Sequence, residues 1–201
     1  MTSKLKTDVL ETVSGSGTIA LTNQLSGMTS ASMPSGSVIQ VANLVIDTET
    51  TASSTSWVYA GGSEISFSSL TSTGSKVLVR YNLIVGSSKG SNIGVRIYRN
   101  VGGAGWVTVT GAMSTRGTGS SYNAFLTDGY NPVNTHEDID QPMVTGEYLD
   151  SPSTTASVAY RIYMRSRDTS AAYINRPTTF VQNDAMSPRA ISTATIMEIK
   201  G

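Results

Sequence analysis

His136 is the only histidine in the chain, and it lies among carboxylates. Glu137, Asp138 and Asp140 follow it within four residues. Carboxylates at this spacing can share a hard cation, and a neighbouring histidine can act as a general base. However, the segment lacks the glycine that the sharp turn of an EF-hand calcium loop requires. We interpret it as a solvated acidic loop and predict no metal ion there.

Other kinds of active site are equally poorly supported. A serine triad would have to use His136, and no serine lies in a nucleophile-elbow pattern. The glycines of 102–105 lack the Gly-Lys-Ser/Thr ending of a phosphate-binding loop. A glycosidase needs two carboxylates about 5–10 Å apart. Candidates for such a pair are Glu64, Glu147, Asp150 and Asp168. We therefore predict a non-enzymatic protein that uses no cofactor.

Arginines and tyrosines are interleaved along two predicted strands. The residues concerned are Arg96, Arg99, Arg161, Arg165 and Arg167, with Tyr98, Tyr160 and Tyr163. This combination is typical of protein interfaces and of sugar-binding surfaces, and a solvated outer sheet face fits it equally well. Trp57 and Trp106 each lie near a turn, and we expect both to pack in the core.

Composition indicates a folded β-protein. The chain has 201 residues, enough for one domain with a short appendage. Charged residues make up 14%, against about 25% in an average domain, and 14 basic residues balance 14 acidic ones. Disordered chains usually carry a high net charge, whereas small polar residues such as threonine suit the exposed face of a sheet. The neutral balance argues against a nucleic-acid partner, which would select for a basic surface.

The chain shows no sign of export or membrane insertion. Lys4 and Lys6 are not followed by the apolar core of a signal peptide, and no apolar run approaches the length of a membrane span. The absence of cysteine excludes disulfides and thiolate sites, and it fits synthesis in a reducing cytosol.

A turn at Pro34-Ser35-Gly36 predicts two parts, an extended segment over 1–35 and a β-domain over 36–201. The first part alternates short apolar stretches with a Ser-Gly turn at 14–17. Its apolar residues are Leu5, Val9, Leu10, Val13, Ile19 and Leu21. A segment this short cannot bury them alone, so we expect them to contact copies of the chain or a larger body.

From Ser37 onward, alternating apolar residues predict eight to ten strands and no helix. The fold we predict is an all-β, antiparallel, jelly-roll-like sandwich. Ser37–Ile46 is apolar on both faces, which indicates a buried or interfacial strand. The apolar run at Ile191–Ile199 favours a central position for the last strand.

A long stretch over Met113–Ile139 has almost no periodicity and carries several Gly and Pro turns. Loops of this length are often functional. Our candidates for binding residues in this loop are Tyr122, Phe125, Tyr130 and His136.

Several stretches of the first hundred residues resemble bacteriophage virion proteins. Leu5–Thr12, the Ser14–Ile19 stretch and Leu21–Gly27 look like the short attachment leader of such proteins. Gly36–Val41, 48–56 and Ser75–Val79 are similar to the jelly-roll-like tips of tail fibres and head fibres, many of them trimeric. The chain is short and lacks a repetitive shaft, so the resemblance favours a compact fibre or tip.

The resemblance implies a homotrimer that is assembled in the host cytoplasm and incorporated into the virion. The leader would bind other virion proteins, and the loops would contact a glycan or protein on the host surface. Two alternatives stay open at this point. One is a decoration protein that stabilises the capsid or tail, and the other is a carbohydrate-binding module.

Overall fold

The chain folds into a sandwich of two antiparallel β-sheets in a computed structural model. The structure describes residues 30–87, 93–114, 124–127, 142–166, 170–177 and 190–201. In these ranges the only helical elements are single 3-10 turns at Ser30–Ser32 and Thr110–Ala112, and no helix is long and apolar enough to cross a bilayer. The strands are β1 (Val38–Ile46), β2 (Thr50–Ala52), β3 (Val58–Tyr59), β4 (Ile65–Phe67), β5 (Lys76–Ser87), β6 (Ile93–Val101), β7 (Trp106–Thr108), β8 (Leu126–Thr127), β9 (Met143–Asp150), β10 (Val158–Ser166), β11 (Ala172–Ile174) and β12 (Ser192–Ile199).

The strand order is that of a jelly roll. In the first sheet β1, β12, β5, β11 and β2 follow one another, and β9 pairs with the free side of β5. In the second sheet the order is β3-β10-β6-β7, with β4 also on β10 and β8 on β6. The long strands therefore form two facing layers, β1-β12-β5-β9 and β4-β10-β6-β7. This confirms the predicted all-β sandwich, and β12 is central, as expected.

Period-two alternation produces the core between the sheets. Every second residue of β5, from Val77 to Val85, is buried, and β10 and β12 follow the same pattern. Since successive side chains of a strand point to opposite faces, the intervening residues form the two outer faces of the sandwich. The same alternation therefore specifies both the core residues and the residues of the outer faces.

Local alternation does not predict the two short strands β2 and β8, and β3 is only two residues long, Val58–Tyr59. β2 pairs with β11, which lies more than a hundred residues away in the chain. Three residues are too few to show a period, so only the long-range pairing makes this segment a strand.

The contacts between Cα atoms divide the chain between Met33 and Pro34. Residues 1–29 lie outside the described ranges, so the extended attachment segment predicted for 1–35 stays a prediction.

Gly86 is required at the end of β5 because the backbone of the 176–177 turn crosses it. A β-carbon at Gly86 would overlap the carbonyl oxygen of Arg176 and lie 3.2 Å from the Cα of Pro177. We expect Gly86→Ala to lower the free energy of unfolding by about 1–3 kcal/mol, since backbone atoms must move. Urea denaturation measures this loss. Gly74→Ala is the control, because its β-carbon would lie 3.5 Å from Ser72 Oγ, and an equal loss in both variants would contradict the explanation.

Candidate interaction surfaces

The outer face of the second sheet collects arginines and large aromatic residues. In the register of β10, Arg161 lies opposite Tyr98 on β6, and Tyr163 lies between Arg96 on β6 and Tyr59 on β3. Alternation directs all of these side chains away from the core. We call this surface the arginine–aromatic face. It comprises Trp57, Tyr59, Arg96, Tyr98, Trp106, Arg161, Tyr163 and Arg165.

Arg161 is the centre of this face. Its guanidinium carbon lies 3.9 Å from the ring centroid of Trp106, 4.5 Å from that of Tyr59 and 5.0 Å from that of Tyr163. A guanidinium over an aromatic face is attracted by the ring quadrupole, and each such contact contributes about 0.5–2 kcal/mol. Arg161 also donates a hydrogen bond from Nη2 to the hydroxyl of Tyr163. Its Nε is buried without an acceptor.

The tyrosines around Arg161 are themselves stacked. The ring centroids of Tyr98 and Tyr163 are 4.1 Å apart at an interplanar angle of 37°, and those of Tyr59 and Tyr163 are 5.9 Å apart. These tilted arrangements are the ones that aromatic pairs prefer. All three rings are only half-buried, so the stack is a preformed surface and not part of the core.

Trp57 lies on the same outer face. The guanidinium of Arg96 is 4.1 Å from its ring centroid, and that of Arg165 is 5.6 Å away. Gly94 makes room for the indole, since a β-carbon there would already be 3.4 Å from the ring. The expectation that Trp57 and Trp106 pack in the core is therefore wrong. Both are half-buried on the outside of the sheet, because arginine stems and guanidinium groups can cover an indole as well as a core can.

Arg99 and Tyr160 do not join this face, although the sequence groups them with it. Both point to the interior, where Arg99 Nη1 lies 2.7 Å from Asp150 Oδ2 and Tyr160 donates a 2.8 Å hydrogen bond to the same oxygen. Burial, reinforced by the Asp150 carboxylate, raises the pKa of the Tyr160 phenol far above its ordinary value. Burial likewise raises the pKa of Tyr81, which donates to the carbonyl of Ser63. Both phenols therefore keep their protons and act as structural donors.

The outer face of the first sheet carries a row of apolar side chains. Cross-strand register aligns Val41 on β1, Met197 on β12, Leu78 on β5 and Leu149 on β9 in one continuous row. Among the described residues, eight large apolar side chains are exposed, and five of them lie on this face. These five are Val38, Val41, Val45, Met143 and Leu149. Together with Leu78 and Met197 they form what we call the apolar face.

A polar row runs beside the apolar one. Asn43 donates a 2.9 Å hydrogen bond to Thr195, and Arg80 lies 2.7 Å from Glu147 in an exposed ion pair. A shallow depression lies between the two rows and is lined by Leu78, Arg80, Thr195 and Met197. The face is thus ridged, and its charges are the Arg80–Glu147 pair and Lys76, which is exposed at the start of β5 opposite Ile199.

Comparison with known proteins finds similar chains among the solved structures. No family model and no curated protein matches the sequence. The chain is similar to the VP2 subviral particle of infectious bursal disease virus, with a TM-score of 0.38, 10% identity and coverage of 80% of this chain and 41% of that one. It is also similar to the T13 viral particle of the same virus, with a TM-score of 0.35, 15% identity and coverage of 80% and 39%. The chain spans about two-fifths of the length of the two chains to which it is similar.

Most of the binding residues predicted from the sequence lie outside the described ranges. This holds for the leader residues Leu5, Val9, Leu10, Val13, Ile19 and Leu21 and for Tyr122, Tyr130 and His136. Phe125 is described: it is half-buried against the core, and its backbone N–H donates a 2.7 Å hydrogen bond to the carbonyl of Val95. These assignments stay predictions.

Of the four carboxylates considered for catalysis, Asp168 lies outside the described residues, Glu64 is exposed, and the other two each pair with an arginine. Glu147 is bound by Arg80 on one sheet, and Asp150 is buried against Arg99 in the interior. In the part of the chain that the structure describes, no three acidic or histidine residues come together to hold a metal ion. The apolar face, by contrast, could be anticipated from the sequence, because the β1 segment has apolar residues on both of its faces.

Proposed function

We propose that this chain is a non-enzymatic structural protein of a bacteriophage particle, a short trimeric fibre or tail-tip protein that assembles through its apolar face. The observation that carries the proposal is the clustering of exposed valine, methionine and leucine side chains on the outside of one sheet. Single exposed apolar residues are normal, whereas a contiguous patch indicates an interaction site.

A second copy of the chain is the partner that fits this face best. Arg80 and Glu147 neutralise each other at 2.7 Å, so the centres of two such faces can meet without repulsion between like charges, while Lys76 lies at the border of the face at the start of β5. Three copies can turn their faces toward a common threefold axis, where the rows of Val41 and Leu149 would pack against those of both neighbours. The apolar row would then form the dry core of the interface, with the polar row beside it.

The trimer would present three equal sets of loops and sheet faces to a host cell. Multivalent contact lets weak individual interactions add to a strong attachment. The leader, with its apolar residues between Leu5 and Leu21, would anchor the protein on the particle during assembly in the host cytoplasm. The resemblance to phage fibre proteins supports an anchoring role for the leader and a host-contact role for the loops and sheet faces.

The test is the solution mass of the full chain by light scattering after size exclusion. We expect three times the 21.1 kDa of one chain for the unmodified protein, and dissociation for the double variant Val41→Lys, Leu149→Lys, because buried ammonium groups would lack partners. Val107→Lys is the matched control. Val107 has the same 56% exposure as Val41 but lies on the other sheet, so the trimer should persist.

Two results would contradict the proposal. A monomeric unmodified chain would rule out self-assembly. A trimer that dissociates with Val107→Lys but not with the double variant would move the interface to the second sheet. Circular dichroism of each variant distinguishes dissociation from unfolding.

A further inference from the structure

We propose that the arginine–aromatic face of the second sheet binds a carbohydrate that carries a carboxylate group. The proposal deepens the attachment role and rests on it for its biological meaning, although binding itself can be measured with the free protein. Three observations lead to it: a cation without a counter-ion, a rigid aromatic platform, and a limited number of accessible charges.

The cation is Arg161. In the described part of the chain the ion pairs are Arg80–Glu147 and Arg99–Asp150, and neither involves Arg161. A guanidinium keeps its charge at any physiological pH and has five N–H donors. Arg161 uses one of them, toward Tyr163, and its Nε is buried without an acceptor, so the donors left for a ligand are those on the Nη nitrogens. A half-buried cation with unused donors favours an anionic ligand, and a carboxylate matches the planar geometry of a guanidinium.

The platform consists of Trp106, Tyr59, Tyr98 and Tyr163. Their rings are half-buried and held by stacking on each other and on Arg161, with separations between 3.9 and 5.9 Å. Flat, amphipathic rings of this kind offer a large contact area at little entropic cost. The hydroxyls of the tyrosines add polar groups at the edge. A sugar ring has complementary features, since it presents apolar C–H groups on its faces and hydroxyls around its rim.

The number of accessible charges separates a glycan from a nucleic acid. Arg96 and Arg165 are each only 8% exposed and cover Trp57, so Arg161 is the more accessible cation of this face. Tight binding of a phosphate backbone needs several lysine or arginine contacts, and the chain as a whole is neutral. Among the described residues of this face, one accessible cation beside four aromatic rings fits a single carboxylate on a sugar ring.

The experiment uses the full-length protein and an array of neutral, carboxylated and sulphated oligosaccharides. Selected binders are then titrated by calorimetry against oligogalacturonate and its methyl ester, which share the same rings and differ in charge. We expect retention of carboxylated glycans, and at least tenfold weaker binding of the esterified form of any uronate that binds. Retention of no carboxylated glycan would overturn the proposal, as would equal binding of charged and esterified forms.

Variants locate the site. Arg161→Gln should weaken binding of the carboxylated glycan about tenfold to a hundredfold, because a charge-assisted hydrogen bond is lost. Arg161→Lys, which keeps the charge but not the planar fork, should weaken it less. Lys76→Gln removes one positive charge from the first sheet and should leave binding unchanged. Thermal melting verifies that the variants are folded.

Four further outcomes would each contradict one specific part of the two proposals. A monomer that binds the glycan would refute the proposed assembly and leave this inference standing, whereas a trimer that retains no glycan would refute the inference alone. Stronger binding to a single-stranded oligonucleotide than to any glycan would overturn the ligand class. Unchanged affinity in both Arg161 variants would overturn the location.

Discussion

Replacing Asp150 by alanine is expected to lower the free energy of unfolding by about 3–5 kcal/mol, the largest effect of any single change considered for this protein. Asp150 ends β9 in the first sheet, and its carboxylate accepts hydrogen bonds of 2.7 and 2.8 Å from Arg99 Nη1 and of 2.8 Å from Tyr160. Both donors belong to the second sheet, so this carboxylate connects the two layers. Its loss would leave a guanidinium and a phenol in the interior without an acceptor.

The chain contains a matched control for this prediction. The ion pair between Arg80 and Glu147 has the same 2.7 Å separation as that between Arg99 and Asp150, but its side chains are 50% and 53% exposed instead of 24% and 7%. Glu147→Ala should cost less than about 1 kcal/mol, since solvent screens an exposed pair. Urea denaturation of both variants measures the two losses. Equal losses would show that burial does not determine the contribution of the Asp150 pair.

Replacing Glu198 by glutamine is expected to cost about 1–3 kcal/mol although the side chains have the same shape. Glu198 is fully buried on β12. One carboxylate oxygen accepts a 2.7 Å hydrogen bond from the backbone N–H of Thr71, and the other accepts one of 2.7 Å from Gln40 Nε2. An amide has a single acceptor oxygen, so one of these donors would face an NH₂ group. The loop after β4 would lose its attachment to the first sheet.

Urea denaturation also tests this prediction, with Glu64→Gln as the control at an exposed position. The control should change the free energy of unfolding by less than about 0.5 kcal/mol. A double variant, Glu198→Gln with Gln40→Glu, offers an acceptor to the new amide and should recover part of the loss. Wild-type stability of Glu198→Gln alone would contradict the assigned role of the two acceptor oxygens.

The contrast between Trp57 and Tyr160 shows where inference from the sequence ends. Tyr160 lies among arginines in the sequence, yet alternation along β10 directs it inward. Trp57 is a residue type that usually packs inside, yet it lies outside against two arginines. The residue types near a position do not determine which face of the sheet its side chain occupies. The face depends on the phase of the strand, that is, on which alternate residues of the strand point to the core. That phase is readable in a long strand such as β10, but not at Trp57, which directly precedes the two-residue strand β3.

The sequence by itself determined the fold class, the positions of the long strands and the central place of the last strand. Those properties depend on local alternation and on turn residues, which a single chain displays directly. Only the tertiary structure decided which side chains meet. Arg161 and Trp106 are 55 positions apart, and the cross-strand partners Val41 and Met197 are still farther apart. Their meeting depends on the register between strands that are distant in the chain, and no local pattern encodes that register.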